Sequence, residues 1–488
     1  MHLPSKFVVI KILVLTACLV SFNSIAMAIQ PPVAQGDFDW SQFRGPNGSG
    51  VANTSALPTE FGKEQNLKWM TPLPAGHSSP VLFKKRIYLT AFDADSLLTI
   101  CLDQTTGKEV WRRQSPRDRK ETLDHRNNPA SPSPVVDATG VYVFFSDFGL
   151  LGYSLEGDLK WQTPLGPFSN IYGMGASPIL CGGRLIFVCD QNLDSYVAAF
   201  DTQTGAQLWR TKREEATSGH CSPIVYQPKG GEAQLIVAGS FYLTAYSASS
   251  GAKLWWVGGL CFEMKSTPVT HDDLVYINGY GSPQNEADAS FKIEDFSAVV
   301  KAKDGNADGL LSLAEMPDEL SKNFFSAVDL DANGKLDAKE WEYFKQSIAS
   351  KNSMMAIRLG GSGDMTSKSV VWKYFRNIPQ LPSPVIADNK VFMISDQGIV
   401  TCLEPKTGEA LKRGRLQGAS GNIYASPIVA DNKLFFITED GKVAVTDTTT
   451  DFKVLAVNDL KEKCYATPAL DRDRIFIRTE KGLYAFGL

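Results

Sequence analysis

Residues 176–212 read ASPILCGGRLIFVCDQNLDSYVAAFDTQTGAQLWRTK, and this stretch decides the fold. Ser177-Pro178-Ile179 opens it, and RLIFVC follows as a short apolar strand. VAAF is a second run, the Thr-Gly of TQTG is a turn, and a strand carrying Trp209 closes the unit. Period-2 alternation marks half-buried strands, and the glycine supplies the positive φ that a hairpin turn requires.

The opening signature recurs eight times, at Pro80, Pro134, Pro178, Pro223, Pro268, Pro384, Pro427 and Pro468. The intervals are 54, 44, 45, 45, 116, 43 and 41 residues, so one is about 70 residues too long. Strands such as RIYLTA, GVYVFF, KVFMIS and KLFFIT follow the signatures, and Trp111 and Trp255 end units as Trp209 does. Four short strands in about 45 residues are the mark of a propeller blade. After Pro468 only three strands remain before LYAFGL. The spare one is NLKWMTPL around Trp69, ahead of the first signature. The expected fold is therefore all-β: an eight-bladed propeller of four-stranded blades whose N-terminal strand completes the last blade and removes the open edges.

The repeat VAAFDTQTGAQLW resembles the PQQ-type propeller repeat, and DWSQFRGPNGSG (residues 39–50) resembles the N-terminal motif of secreted PQQ-like propellers. That family holds quinoprotein alcohol dehydrogenases and BamB-like scaffolds of outer-membrane protein assembly, and the resemblance covers residues 38–282 and 353–488. It specifies fold far better than activity. A quinoprotein would carry a vicinal Cys-Cys, a Trp floor and an Asp base. No Cys-Cys occurs, and Trp111, Trp161, Trp209 and Trp372 fall at fourth-strand positions, where packing between blades is expected. A quinone cofactor is accordingly not expected, nor is enzymatic activity.

The long interval holds a different kind of sequence. Residues 285–352 carry 14 acidic and 8 basic side chains, a net of −6 against −4 for the whole chain. The apolar spacing there turns helical, with faces at Phe291, Phe296, Val299 and Val300, at Leu320, Phe324, Phe325 and Val328, and at Trp341, Phe344 and Ile348. Between the faces lie two twelve-residue loops, Asp304–Glu315 and Asp329–Glu340, both fitting the EF-hand pattern D-x-[DN]-x-[DN]-G with Glu at twelve. Calcium takes six to eight hard oxygen ligands. The side chains of Asp304, Asn306 and Asp308, or of Asp329, Asp331 and Asn333, supply three. The carbonyl of Leu310 or Lys335 adds one, Ser312 or Asp337 acts through water, and Glu315 or Glu340 closes the site. Leu311 and Leu336 at position eight are expected to pair as a ladder. Two calcium ions are expected, with loop two the tighter because it carries four carboxylates against three. A permanent site fits better than a sensor, since Pro317 shortens the connecting helix.

The remaining features concern location and ligand. Residues 1–28 read as a secretory signal peptide with an Ala26-Met27-Ala28 cleavage pattern, and a lipobox-like Leu15-Thr16-Ala17 before Cys18 offers lipoprotein processing as the alternative. The domains are then 1–28, a propeller from 29–282 and 353–488, and the insertion at 285–352 within blade five. Cys101, Cys181, Cys189, Cys221, Cys261, Cys402 and Cys464 show no CxxC spacing and are expected as buried thiols. A net charge of −4 and a pI near 5.9 argue against nucleic acid as partner. Three residues before each signature proline stand His77, Ser131, Gly175, His220, Lys265, Leu381, Tyr424 and Tyr465, expected to gather at one mouth of the ring. His77, His220, Lys265, Tyr424 and Tyr465 could hold a glycan or small anion there. The reading is an exported, monomeric, calcium-binding scaffold of the periplasm or outer membrane with another envelope protein as partner. A quinoprotein oxidoreductase, or a propeller binding ligands at its rim, is the alternative.

Overall fold

The computed structural model describes residues 40–54, 56–117 and 119–488, together with Met1 and His2; the leader segment and Cys18 lie outside them. Eight antiparallel sheets follow one another along the chain, each built of consecutive strands, in the order expected of propeller blades. They occupy residues 81–116, 135–164, 179–212, 224–258, 269–374, 385–415, 428–459 and 469–487. The last sheet gains its fourth strand from Leu67–Pro72, which pairs antiparallel with Gly482–Gly487, Trp69 opposite Ala485 and Met70 opposite Tyr484. Blade four alone carries a fifth strand, the pair Gly363–Asp364 lying parallel to Trp255 and Trp256.

The strands are not half-buried as their alternation suggests. Second and third strands, such as Gly140–Phe145 and Gly149–Tyr153, are buried at every residue. Blades in a ring pack face against face, so both surfaces of these strands meet a neighbour. Only the fourth strand, as in Leu159–Pro164, alternates between exposed and buried. The cores therefore lie between blades, where for example Val135, Tyr142, Phe144 and Leu150 interleave with Leu185, Phe187 and Ala198 of the next.

Two repeated devices hold blade to blade. The fourth-strand tryptophans at 69, 111, 161, 209 and 372 each lie over the turn glycine of the following blade. A Cβ on Gly157 would fall 2.7 Å from Trp111 and one on Gly205 2.5 Å from Trp161, and both turns need φ near +91° and +71°. The indole nitrogens of Trp69, Trp111, Trp161 and Trp372 donate to turn carbonyls of the next blade, at Gln104, Leu155, Thr202 and Pro405. The second device explains the signature. The backbone N–H of Ser79 donates to the Ser133 hydroxyl, Ser133 to Ser177, Ser177 to Ser222, Thr267 to Ser383, Ser383 to Ser426, and Ser426 to Thr467. At six of the eight junctions the residue before the proline thus links to its counterpart one blade on, in bonds of 2.9–3.0 Å around the axis.

The segment 40–52 crosses the end of the ring. Its carbonyls at Trp40 and Ser41 accept from Leu82 and Val136, Asn47 exchanges two bonds with Val225, and Gly50 and Ala52 bracket Val429. All six of those bonds reach first strands, in blades one, two, four and seven, two residues after the signature proline. Arg44 reaches the carbonyl of Pro384 in blade six.

The insertion springs from blade five between its second strand, ending at Gly279, and its third, beginning at Ser353. It contains three helices, α1 (Phe296–Lys303), α2 (Glu319–Val328) and α3 (Ala338–Ala349). Val299, Phe325, Val328, Trp341, Phe344 and Ile348 form its own small core. Phe291, assigned above to the first helical face, lies before α1 and is 45% exposed. The chain there has not yet entered the helix, so its spacing carries no facial meaning.

All seven described cysteines are free thiols, six of them buried. Among the described residues, no helix is long and apolar enough to cross a membrane.

Candidate functional site

All eight residues placed three before a signature proline line one cavity of about 230 Å³ at the ring centre. The signature Ser and Thr hydroxyls form a second tier, seven of the eight facing the cavity, and Phe43 of the crossing segment lines it as well. The ring is thereby a cup, with the segment 40–52 across one end. Sequence spacing missed Asp124, Arg126, Asn127 and Tyr172, which enter from the connections after blades one and two.

The wall is organised as two aromatic clusters. His77 stacks on Tyr465 at 4.2 Å, and Tyr424 meets Tyr465 edge-on at 5.1 Å. Elsewhere Tyr172 packs against His220 at 5.9 Å, under the guanidinium of Arg126 at 5.4 Å and the ammonium of Lys265 at 5.9 Å. The cations are held in place. Asp124 accepts from Arg126 at 2.6 and 3.0 Å, and this bond draws the carboxyl down to about 2. Lys265 is paired with the buried Glu263 and donates to the carbonyl of Tyr280. Burial pushes the Glu263 carboxyl upward, which Lys265 opposes. Burial also lowers His77 to about 4, helped by Arg478, and His220 to about 3, helped by Lys265. Both imidazoles are neutral at physiological pH. The His220 Nε2 is shielded from solvent and has no hydrogen-bond partner among the described residues.

The paired loops of the insertion form the second candidate. Gly309 and Gly334 take φ of +78° and +80°, as position six requires, and their N–H groups donate to Asp304 and Asp329 at 2.9 Å. Leu311 pairs with Leu336 in a two-residue ladder. In loop two, ligand oxygens of Asp329, Asp331 and Glu340 all lie within 4.8 Å of one another. Glu340 is 5% exposed, and burial raises its carboxyl above the usual range while it accepts from Leu330 and Asp337. Loop one is less convergent. Asp308 is tied to Lys335 of loop two at 2.6 Å, and Asp304 Oδ1 is shielded without a partner. Asn306 and Asn333 accept from their own loops at Asp308 and Lys335, and Glu315 accepts from Ser312 and Gly305. Asp337 caps α3 by accepting from Lys339 and Glu340. These donor sets suit a hard divalent cation: carboxylates, amide oxygens and backbone carbonyls, with no sulfur or imidazole.

The insertion is fastened to the blades beside the cup. Asn285 Nδ2 donates to the carbonyls of Ser347 and Ser350 at the end of α3. Asn352 binds Ser282 and Gly281 across the root. Tyr343 of α3 packs edge-on to Phe241 at 5.9 Å, and Ser350 accepts from Phe262.

The tryptophans at 111, 161, 209 and 372 serve the blade contacts, and no two described cysteines are adjacent.

No curated protein matches the chain by sequence. Solved structures share the fold. BamB from Moraxella catarrhalis aligns with a TM-score of 0.51 at 11% identity, over 86% of this chain and 100% of that one. A europium-containing methanol dehydrogenase aligns at 0.54 and 10% identity, over 92% and 91%. The computationally designed Ika8 protein aligns at 0.53 and 12%, over 87% and 100%. Identities this low speak for fold alone, and these structures include a dehydrogenase and a designed protein. A family profile matches residues 49–192 and 193–488, and on that coverage the chain belongs to the family described as outer membrane protein assembly factor BamB.

Proposed function

We propose that this is an exported, calcium-binding propeller that serves as a protein-binding scaffold in the cell envelope. Family membership supports the scaffold and its location, because the matched family is described by outer-membrane protein assembly. The observation that carries the calcium reading is the convergence of Asp329, Asp331 and Glu340 within 4.8 Å in a loop of matching pattern. Asp329, Asp331, Asn333, Asp337, Glu340 and the Lys335 carbonyl would hold one ion. Asp304, Asn306, Asp308, Ser312, Glu315 and the Leu310 carbonyl would hold the second. A bound cation supplies charge neutralisation to a segment of net −6, and so stabilises the helices packed around it. Loop two is the tighter site, since the Lys335 ammonium already occupies a carboxylate of loop one. Calorimetric titration of the full chain should resolve a stronger calcium event that Glu340→Gln abolishes. Equal calcium uptake by both proteins would refute the assignment.

A second reading has its own observation. Eight rim residues from eight blades line one cavity with aromatic faces and hydrogen-bonding groups, which is the form of a small-molecule site.

A further inference from the structure

The cup chemistry suits either a neutral polyol or an anion, since tyrosines can stack on both and hydroxyls can bond to both. Two residues outside its visible lining separate the cases. Arg44 lies under the cup, adjoining Phe43, and is wholly buried. Its guanidinium donates to the carbonyls of Gly48, Ser49 and Pro384, and Nη1 has no partner among the described residues. Arg478 of blade eight is 2% exposed. It donates to Ser78 and Thr90 immediately behind the tier of hydroxyls, and its charge acts on His77. Among the described residues neither arginine forms a salt bridge to a carboxylate. Burial lowers each to about 9, so both remain charged at neutral pH.

A buried charge without a counter-ion is strongly disfavoured, and two around one axis are more so. Of the other charges nearby, Arg126 pairs with Asp124, Lys265 with Glu263 and Lys463 with Glu439, while Asp396, which acts on Tyr424, forms no salt bridge among the described residues. Two buried guanidiniums against that one carboxylate leave the cup positive in a chain whose total is −4. Each linking hydroxyl among Ser133, Ser177, Ser222, Ser383, Ser426 and Thr467 accepts a backbone bond and donates none among the described residues. A tier of hydroxyl protons is thus left to face the cavity, and the orphan His220 Nε2 stands beside it.

Resting on the reading of the cup as a ligand site, we propose that its ligand is a small organic acid. The carboxylate meets the hydroxyl tier above Arg44 and beside Arg478, and a flat face of the molecule lies against Tyr424 and Tyr465 or against Tyr172. At about 230 Å³ the space is below the roughly 300–1,000 Å³ usual for drug-sized ligands, so the acid is compact.

The test uses matched probes on the full chain: benzoate against benzamide, and glucuronate against glucose, each titrated by calorimetry at low and high salt. The acid of at least one pair should bind at least tenfold more tightly than its neutral partner, with affinity falling as salt rises. Arg478→Met should remove that preference. Because that substitution sits in the core, Arg126→Gln at the more exposed wall provides a folded second variant, expected to weaken the acid by three- to tenfold and leave the neutral probe unchanged. Equal or better binding of the neutral members would overturn the proposal while leaving the cup as a ligand site. Failure of all four probes at millimolar concentration would overturn both.

Discussion

His77 stacks on Tyr465, and His220 sits edge-on to Tyr172, so each imidazole is half enclosed by a ring and faced by a cation, Arg478 or Lys265. Protonation is therefore resisted in the folded chain but free in the unfolded one, where histidine takes a proton below about pH 6.5. The unfolded state binds more protons, so stability is complete above that pH and declines as acidity increases toward about 4 for His77 and about 3 for His220. By pH 5 each costs about 2 kcal/mol. The fall in melting temperature between pH 7 and pH 5 should be smaller in a His77→Asn, His220→Asn double variant; an identical fall would refute the account. The rim positions of these residues were legible by counting back from the prolines, because a closed ring repeats its geometry at every blade. Asp124, Arg126 and Tyr172 were not, since no periodicity dictates how far a connecting loop reaches. Arg44 was opaque for a related reason: nothing local distinguishes an arginine in a glycine-rich turn from a solvated one, and its burial depends on blades hundreds of residues away.

At the scale of elements, α3 matters most. Its N-terminus carries Glu340 and Asp337 of loop two, and its far end is clamped by Asn285, itself fully buried. An insertion joined to a loop by two chain crossings would swing freely without such bonds. Asn285→Ala leaves the carbonyls of Ser347 and Ser350 without that donor, at about 1–3 kcal/mol. Hydrogen exchange should then quicken across residues 296–349 while blades one to three keep their protection. Unchanged exchange in the helices would show that the clamp is dispensable. The helices themselves could be read from apolar spacing and the loop pattern. The seat could not, because Phe241 and Phe262 look like ordinary hairpin and loop residues until the ring brings them under Tyr343 and Ser350.

For the whole molecule the decisive feature is that the ring is closed by backbone bonds between Leu67–Pro72 and Gly482–Gly487. Blade count and closure were both evident in the spacing of the signatures and in one strand too many before the first. Burial on both faces of the inner strands was not, since alternation reports only that a strand is apolar, never how many neighbours it meets. Removal of residues 40–72 should raise exchange in blade eight, residues 469–487, at least tenfold and leave blade three unaltered; a uniform response would mean that the blades melt as one body. The closure also sets an order of events. The strand Leu67–Pro72 has no partner until residues 482–487 have been synthesised, more than 400 positions later. Head and tail must then find each other across the full contour of the polypeptide. The latch therefore closes only after every blade between the two strands has been made, and a chain stalled before residue 482 leaves the first strand waiting in solvent.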